Sequence, residues 1–223
     1  MEKESQTIFD KNVIEFVTVA AEFCAFLERA ESMKRSDFVD TSLKILPLLY
    51  LKASLLPPCE RLGEEELETY VTEEVYEILR LNLAELMGEK DDYLDVFVED
   101  MGYSDQPIKK CISEDLADIY QDIRDFIFVF QLGLNETMND SLALCQENFG
   151  LLWGQKLVNT LRALHDVKYH QEEEEEEEAD DCFYQENDCH CQEHDCHCHE
   201  HDCHCHEHDD HCHDEGCHCH HDE

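Results

Sequence analysis

After His170 the chain stops supplying the apolar residues that a folded core requires, and this break decides what can fold. Glu172 to Glu178 is an unbroken acidic run, and from Gln171 to Glu223 there is neither Lys nor Arg. Like charges repel one another. With almost no apolar surface to bury, nothing offsets the entropy lost on ordering. Residues 171–187 therefore read as a solvated acidic spacer, and 188–223 as a low-complexity, disordered tail. The fold must come from residues 1–170, which are long enough to bury a real core.

Within that span apolar residues recur at three- and four-residue intervals, the period of one helix face. Val13, Phe16, Val17, Ala20, Cys24 and Leu27 mark a first helix across 8–30. Ser36 and Asp37 open a second carrying Leu43, Leu46, Leu49 and Leu55, kinked at Pro47 and ended by Pro57-Pro58. Thr72 opens a third with Val75, Leu79, Leu83 and Leu86, closed by Gly88. Asp91 to Met101 is expected to be a short helical piece with Leu94, Phe97 and Val98 inward, and Gly102 to Pro107 a connection. Ser113 is expected to cap a strong helix whose inner face is Leu116, Ile119, Tyr120, Ile123, Phe126, Ile127 and Phe130, stopped by Gly133. Asn135 is expected to cap the last, with Met138, Leu142, Cys145, Phe149, Leu152 and Trp153. A bend is expected at Gly154, before Leu157, Leu161 and Leu164. No run alternates with period two, so the prediction is all-α: a bundle of five to six helices over 1–170.

Four segments are similar to a family of bacterial helical proteins known as a domain of unknown function: Asn12-Val13-Ile14-Glu15-Phe16, Leu46-Pro47-Leu48-Leu49-Tyr50-Leu51-Lys52, Ser113-Glu114-Asp115-Leu116-Ala117-Asp118-Ile119-Tyr120 and Leu151-Leu152-Trp153-Gly154-Gln155. The resemblance spans about residues 8–169. It implies a helical fold and a bacterial cytoplasmic setting, and brings no activity and no functional residues.

The tail is a repeat of period seven. From Asp188 it reads Asp-Cys-His-Cys-Gln-Glu-His, placing Cys189, His190, Cys191 and His194. The copy from Asp195 holds Cys196, His197, Cys198, His199 and His201, and the copy from Asp202 holds Cys203, His204, Cys205, His206 and His208. A degraded copy keeps His211, Cys212 and His213, and the copy from Gly216 carries Cys217, His218, Cys219, His220 and His221. An eroded copy around Asp181-Cys182 precedes them. The repeat has no aliphatic seam, so it is not a coiled coil. Thiolate and imidazole are the preferred side-chain ligands of zinc, nickel and copper. Because seven is odd, the thiols of an extended chain face opposite ways in successive copies. A flexible chain gathers such ligands by folding around each ion as it arrives. With 23 Cys and His after Gln171, four ligands per ion set a ceiling of about five or six tetrahedral ions. The composition resembles His/Cys-rich tails of bacterial nickel-handling proteins and the Cys-x-Cys density of metallothioneins. The carboxylates between the ligands raise the local cation concentration.

Charge narrows the partners. Against 56 acidic residues there are 16 basic ones, a net of −40. Phosphate-binding Lys/Arg clusters are missing, which argues against nucleic acid and against anionic membranes. No apolar run is long enough to span a bilayer, and Met1-Glu2-Lys3-Glu4 does not begin a secretory signal. The expected location is the cytoplasm, where thiols stay reduced. Metal ions and a protein partner docked on the helices are the expected partners.

Within 1–170, Asp115, Asp118, Asp122 and Asp125 fall at helical spacing. They read as the solvated back of an amphipathic helix in preference to a docking stripe or a weak cation site. Neither His165 nor His170 has a Glu three residues before it, which disfavours a di-iron bundle. Cys24 and Cys145 sit on apolar faces and read as inert packing. No glycine-rich loop and no catalytic signature is present, so an enzyme is not expected.

Overall fold

N-cap side chains start two of the helices, at Asp10 and at Thr72. The computed structural model describes residues 7–64, 66–95 and 108–170, all within the first of two units into which the chain divides, Met1–Glu175. The spacer, the tail repeat, Phe97, Val98 and the Gly102–Pro107 connection lie outside the described residues. Helix α1 (Lys11–Glu28) begins where the Asp10 carboxylate accepts the Asn12 N–H at 2.8 Å. Its buried stripe is Val13, Phe16, Ala20, Phe23, Cys24 and Leu27. Helix α2 (Arg35–Ser54) runs through Pro47, which sits on the exposed side, and ends ahead of Pro57-Pro58. Leu55, expected on its inner stripe, lies past the last turn and is 48% exposed. Helix α3 (Glu73–Met87) opens on Thr72, whose hydroxyl oxygen accepts the Val75 N–H. It closes at Gly88, where φ is +58° and a side chain would be strained.

Helices α4 (Ile112–Gln131), α5 (Asn135–Asn148) and α6 (Gly154–Tyr169) complete an all-α bundle of six helices among the described residues. Helix α4 packs against α1, α3, α5 and α6, while α2 covers α1 and α6. The core is continuous from Ile8 to Leu164, with Phe16, Phe23, Phe38, Leu46, Leu116 and Trp153 fully buried. No described helix is long and apolar enough to cross a membrane.

Four expectations are corrected. Asn135 is the first residue of α5, not its cap, and Leu134 at the cap position makes no side-chain bond. The stretch from Asp91 does not begin as a helix. Residues Asp92–Leu94 form β1, paired antiparallel with β2 (Lys109–Cys111) in the register Asp92 to Cys111, and Leu94 is 54% exposed. Strands this short carry no visible period, and their pairing joins residues far apart in sequence. Ser113 is not itself the cap of α4. The helix starts one residue earlier, and the Asp91 carboxylate accepts the Ser113 N–H at 2.8 Å and its hydroxyl at 2.6 Å. The hairpin thus supplies the cap from outside the helix, doing the work of an N-cap side chain. Leu152 is 52% exposed, because a turn of π-helix (Phe149–Trp153) inserts an extra residue and shifts the inner face to Trp153.

The π-turn explains Gly154. Its N–H reaches back to the Phe149 carbonyl, and a Cβ added there would lie 2.3 Å from that oxygen. Gly154→Ala would gain about 1 kcal/mol of helix preference. It must also push aside backbone, and overpacking of this kind costs about 1–3 kcal/mol. Circular-dichroism melting should show a lower midpoint for the variant, and an unchanged midpoint would mean that the turn does not require glycine.

Candidate functional site

The residues most open to interpretation are the four aspartates of α4, and each one is occupied. Asp115 is 4% exposed and accepts the Tyr93 hydroxyl from β1. Asp118 accepts the Tyr76 hydroxyl of α3 at 2.8 Å and pairs with Lys156 of α6. Asp122 accepts the Asn148 side-chain amide of α5 at 2.6 Å. Asp125 accepts two backbone N–H groups through one oxygen, Tyr70 at 2.7 Å and Val71 at 2.8 Å. The row is therefore not a solvated back. Periodicity reveals that a helix has a polar face, and says nothing about what covers it. Here tyrosines, an amide and peptide N–H groups cover it.

Asp125 belongs to a larger arrangement. Residues 55–72 join α2 to α3, the described ones without regular structure, and irregular connections of this length are uncommon unless functional. Their backbone polar groups find partners on the helix side chains beneath. Gln146 donates to the Pro57 carbonyl at 2.8 Å and Asn139 to the Glu60 carbonyl at 2.7 Å. The Asp140 carboxylate takes the N–H groups of Leu62 at 2.7 Å and Gly63 at 2.8 Å. A Cβ on Gly63 would lie 2.9 Å from that carboxylate, which would have to shift to admit a side chain there. With Asp125 at the far end, the connection forms a strap fastened to α5 and α4. The sequence signal was the run Asn139-Asp140-Ser141, polar residues set between core positions Met138 and Leu142. All three are buried.

Under the strap lies a half-open cavity of about 400 Å³. Asp122, Asp125, Phe126 and Val129 line it from α4, Leu144 and Cys145 from α5, and Glu66 and Glu68 from the strap. Burial raises the Asp122 carboxyl above its ordinary value, against the lowering effect of the Asn148 amide. Burial likewise raises Asp125, against the Val71 and Tyr70 N–H groups. Asp115 is raised by burial as well. In Asp140 burial acts upward too, but the Leu62 and Gly63 N–H groups, Asn139 and the Arg61 charge outweigh it, and the net shift is downward.

The isolated cysteines are quiet. Burial pushes the Cys24 thiol to about 12 and Cys145 well above its usual value. Both therefore stay protonated, in keeping with a packing role. Cys59 donates to the Asn139 side-chain oxygen. His165 is exposed against the Tyr169 ring, and His170 ends α6 beside Asp166 at 2.8 Å. No group of three or more His, Cys, Asp or Glu suited to a metal exists among the described residues. The candidate ligands Cys189 through His221 all lie outside them.

Fold and site together define an all-α domain whose central helix is covered by a strap. Residues 7–170 match the family described as a domain of unknown function, DUF5063, and the chain belongs to that family. It is similar to the crystal structure of protein BF1032 from Bacteroides fragilis, with 79% identity and a TM-score of 0.67 over 73% of this chain and 96% of that one. No curated protein matches the chain.

The raised carboxyls have a consequence for stability. A carboxyl whose folded pKa exceeds its unfolded value binds its proton more tightly in the native state. Its contribution is most favourable below the unfolded pKa and is lost as pH rises through the folded one. Asp122→Asn keeps an oxygen to accept from Asn148 and removes the buried charge. Its stability relative to the parent chain should therefore be greater at pH 7 than at pH 4. Urea titrations at the two pH values check this, and a difference that is larger at pH 4 would contradict it.

Proposed function

We propose that this chain is a cytoplasmic protein that binds transition-metal ions, zinc, nickel or copper, through its C-terminal repeat, as a buffer, a store or a donor. One observation carries the reading: the Cys-His-Cys triplet recurs at a period of seven in a segment with 23 Cys and His and no Lys or Arg. Ligands at nearly every second position with no hydrophobic core suit several exchangeable ions better than one structural zinc. In the helical unit Cys24 and Cys145 are buried thiols held protonated, so the reading assigns metal to the tail alone. The helical unit then serves as the docking surface for the protein that receives the ion. No enzymatic activity, nucleic acid or membrane is part of this function.

A second reading, a helical interaction module whose tail is regulatory or incidental, is favoured by one surface feature. Tyr50 stacks edge-on against Phe149 with ring centroids 5.1 Å apart. Leu51, Leu151 and Leu152, neighbours of these rings in sequence, are all more than half exposed.

Native mass spectrometry separates the two. The full chain loaded with zinc at pH 7.5 should carry several ions, up to the ceiling of about five or six. A chain cut after His170, which keeps every core residue from Ile8 to Leu164, should carry none of them. Loading should fall as pH drops below about 6, since imidazole and thiol must lose protons to bind. Equal metal content in the two chains would overturn the proposal. Equal rescue of a deletion strain by both chains under metal stress would favour the interaction module.

A further inference from the structure

The cavity under the strap presents a charge pattern that its own walls do not neutralise. Asp122 and Asp125 face it from α4, and Glu66 and Glu68 from the strap. The hydrogen-bond donors to the two aspartates are all neutral: the Asn148 amide and the N–H groups of Tyr70 and Val71. Arg61, the one basic residue lining the cavity among the described residues, also acts on Asp140, whose carboxyl its charge helps to lower. Among the described residues neither Asp122 nor Asp125 has a salt bridge; the charges of Lys156 and Arg124, outside the cavity lining, act on them, and burial still outweighs these and raises both. The apolar part of the wall is Leu67, Phe126, Val129 and Leu144, beside the polar Thr69, Gln121 and Ser141.

We propose that this cavity binds a small organic cation, with its ammonium head against Asp122 and Asp125 and its apolar body against Phe126, Val129 and Leu144. A volume of about 400 Å³ lies in the range of small-ligand sites, which combine apolar walls with a few charged groups that set orientation. An ammonium supplies charge opposite to that of the two carboxylates. A bare metal ion fits less well. Three of these walls offer no ligand atoms, and no metal-suited cluster exists among the described residues. Binding would also tie the strap to α4, because Asp125 holds the Tyr70 and Val71 backbone.

The test is a methyl NMR titration of the full chain with 2-phenylethylammonium. The neutral 2-phenylethanol and the inorganic cation Mg²⁺ serve as controls. Because the acidic tail attracts any cation, the readout is the methyl signals of Val129 and Leu144. Saturable shifts of both are expected with the ammonium, with a Kd near about 1 mM for so small a probe. The alcohol should bind at least about tenfold more weakly, and Mg²⁺ should leave the methyls unmoved. Asp122→Asn, whose fold is checked by its own methyl spectrum, should weaken the ammonium about tenfold. Equal affinity for alcohol and ammonium, no methyl shift at saturating ammonium, or full affinity in Asp122→Asn would each overturn the proposal.

Discussion

Helix α4 packs against four other helices, so its polar side turns to protein instead of water. Everything laid over that side must bring donors. The hairpin brings Tyr93, α3 brings Tyr76, α6 brings Lys156, α5 brings Asn148, and the strap brings two peptide N–H groups. Each bond joins a different element to the same helix, so satisfying α4 also fixes where its neighbours sit. A missing donor would leave a carboxylate unpaired, which costs far more than an ordinary hydrogen bond gains.

The same constraint explains the strap. A connection running from residue 55 to 72 outside any ladder needs partners for its peptide groups. Gln146, Asn139, Asp140 and Asp125 provide them from helices already in place. The price is buried charge that peptide dipoles only partly offset. Asp140, with two N–H groups, an amide and a nearby guanidinium, is net stabilised in its charged form. Asp125, with two N–H groups on one oxygen, is not. That imbalance opens onto a cavity, which is why the cavity favours a cation.

The helices were legible in the sequence because their burial repeats locally. Val13, Phe16, Ala20 and Leu27 on α1, and Leu116, Ile119 and Ile123 on α4, announce their faces without reference to anything distant. Thr72 and Gly88 likewise act within one turn. What escaped the sequence depends on long-range pairing. The Asp92–Leu94 strand exists only because Lys109–Cys111 lies beside it, and Asp91 caps α4 only because that hairpin delivers it. The aspartate row was visible as a pattern but not in its meaning, since the covering groups come from five other parts of the chain. Leu152 was misplaced by a single extra residue in a π-turn, whose one sequence trace is Gly154. For the tail the position is reversed. Its ligand chemistry follows from residue types alone, and the helical unit neither adds to it nor subtracts from it.

Burial holds the helical unit, whereas the function proposed for the tail rests on its residue types. The claim on which the helical account rests is that α4 holds the strap through its carboxylate. Amide hydrogen exchange tests it most directly. The Tyr70 and Val71 amides should exchange slowly in the parent chain and quickly in Asp125→Ala, while Leu62 and Gly63, held by Asp140, stay slow in both. Fast exchange at Tyr70 and Val71 in the parent chain, or no change on removing the carboxylate, would contradict the account.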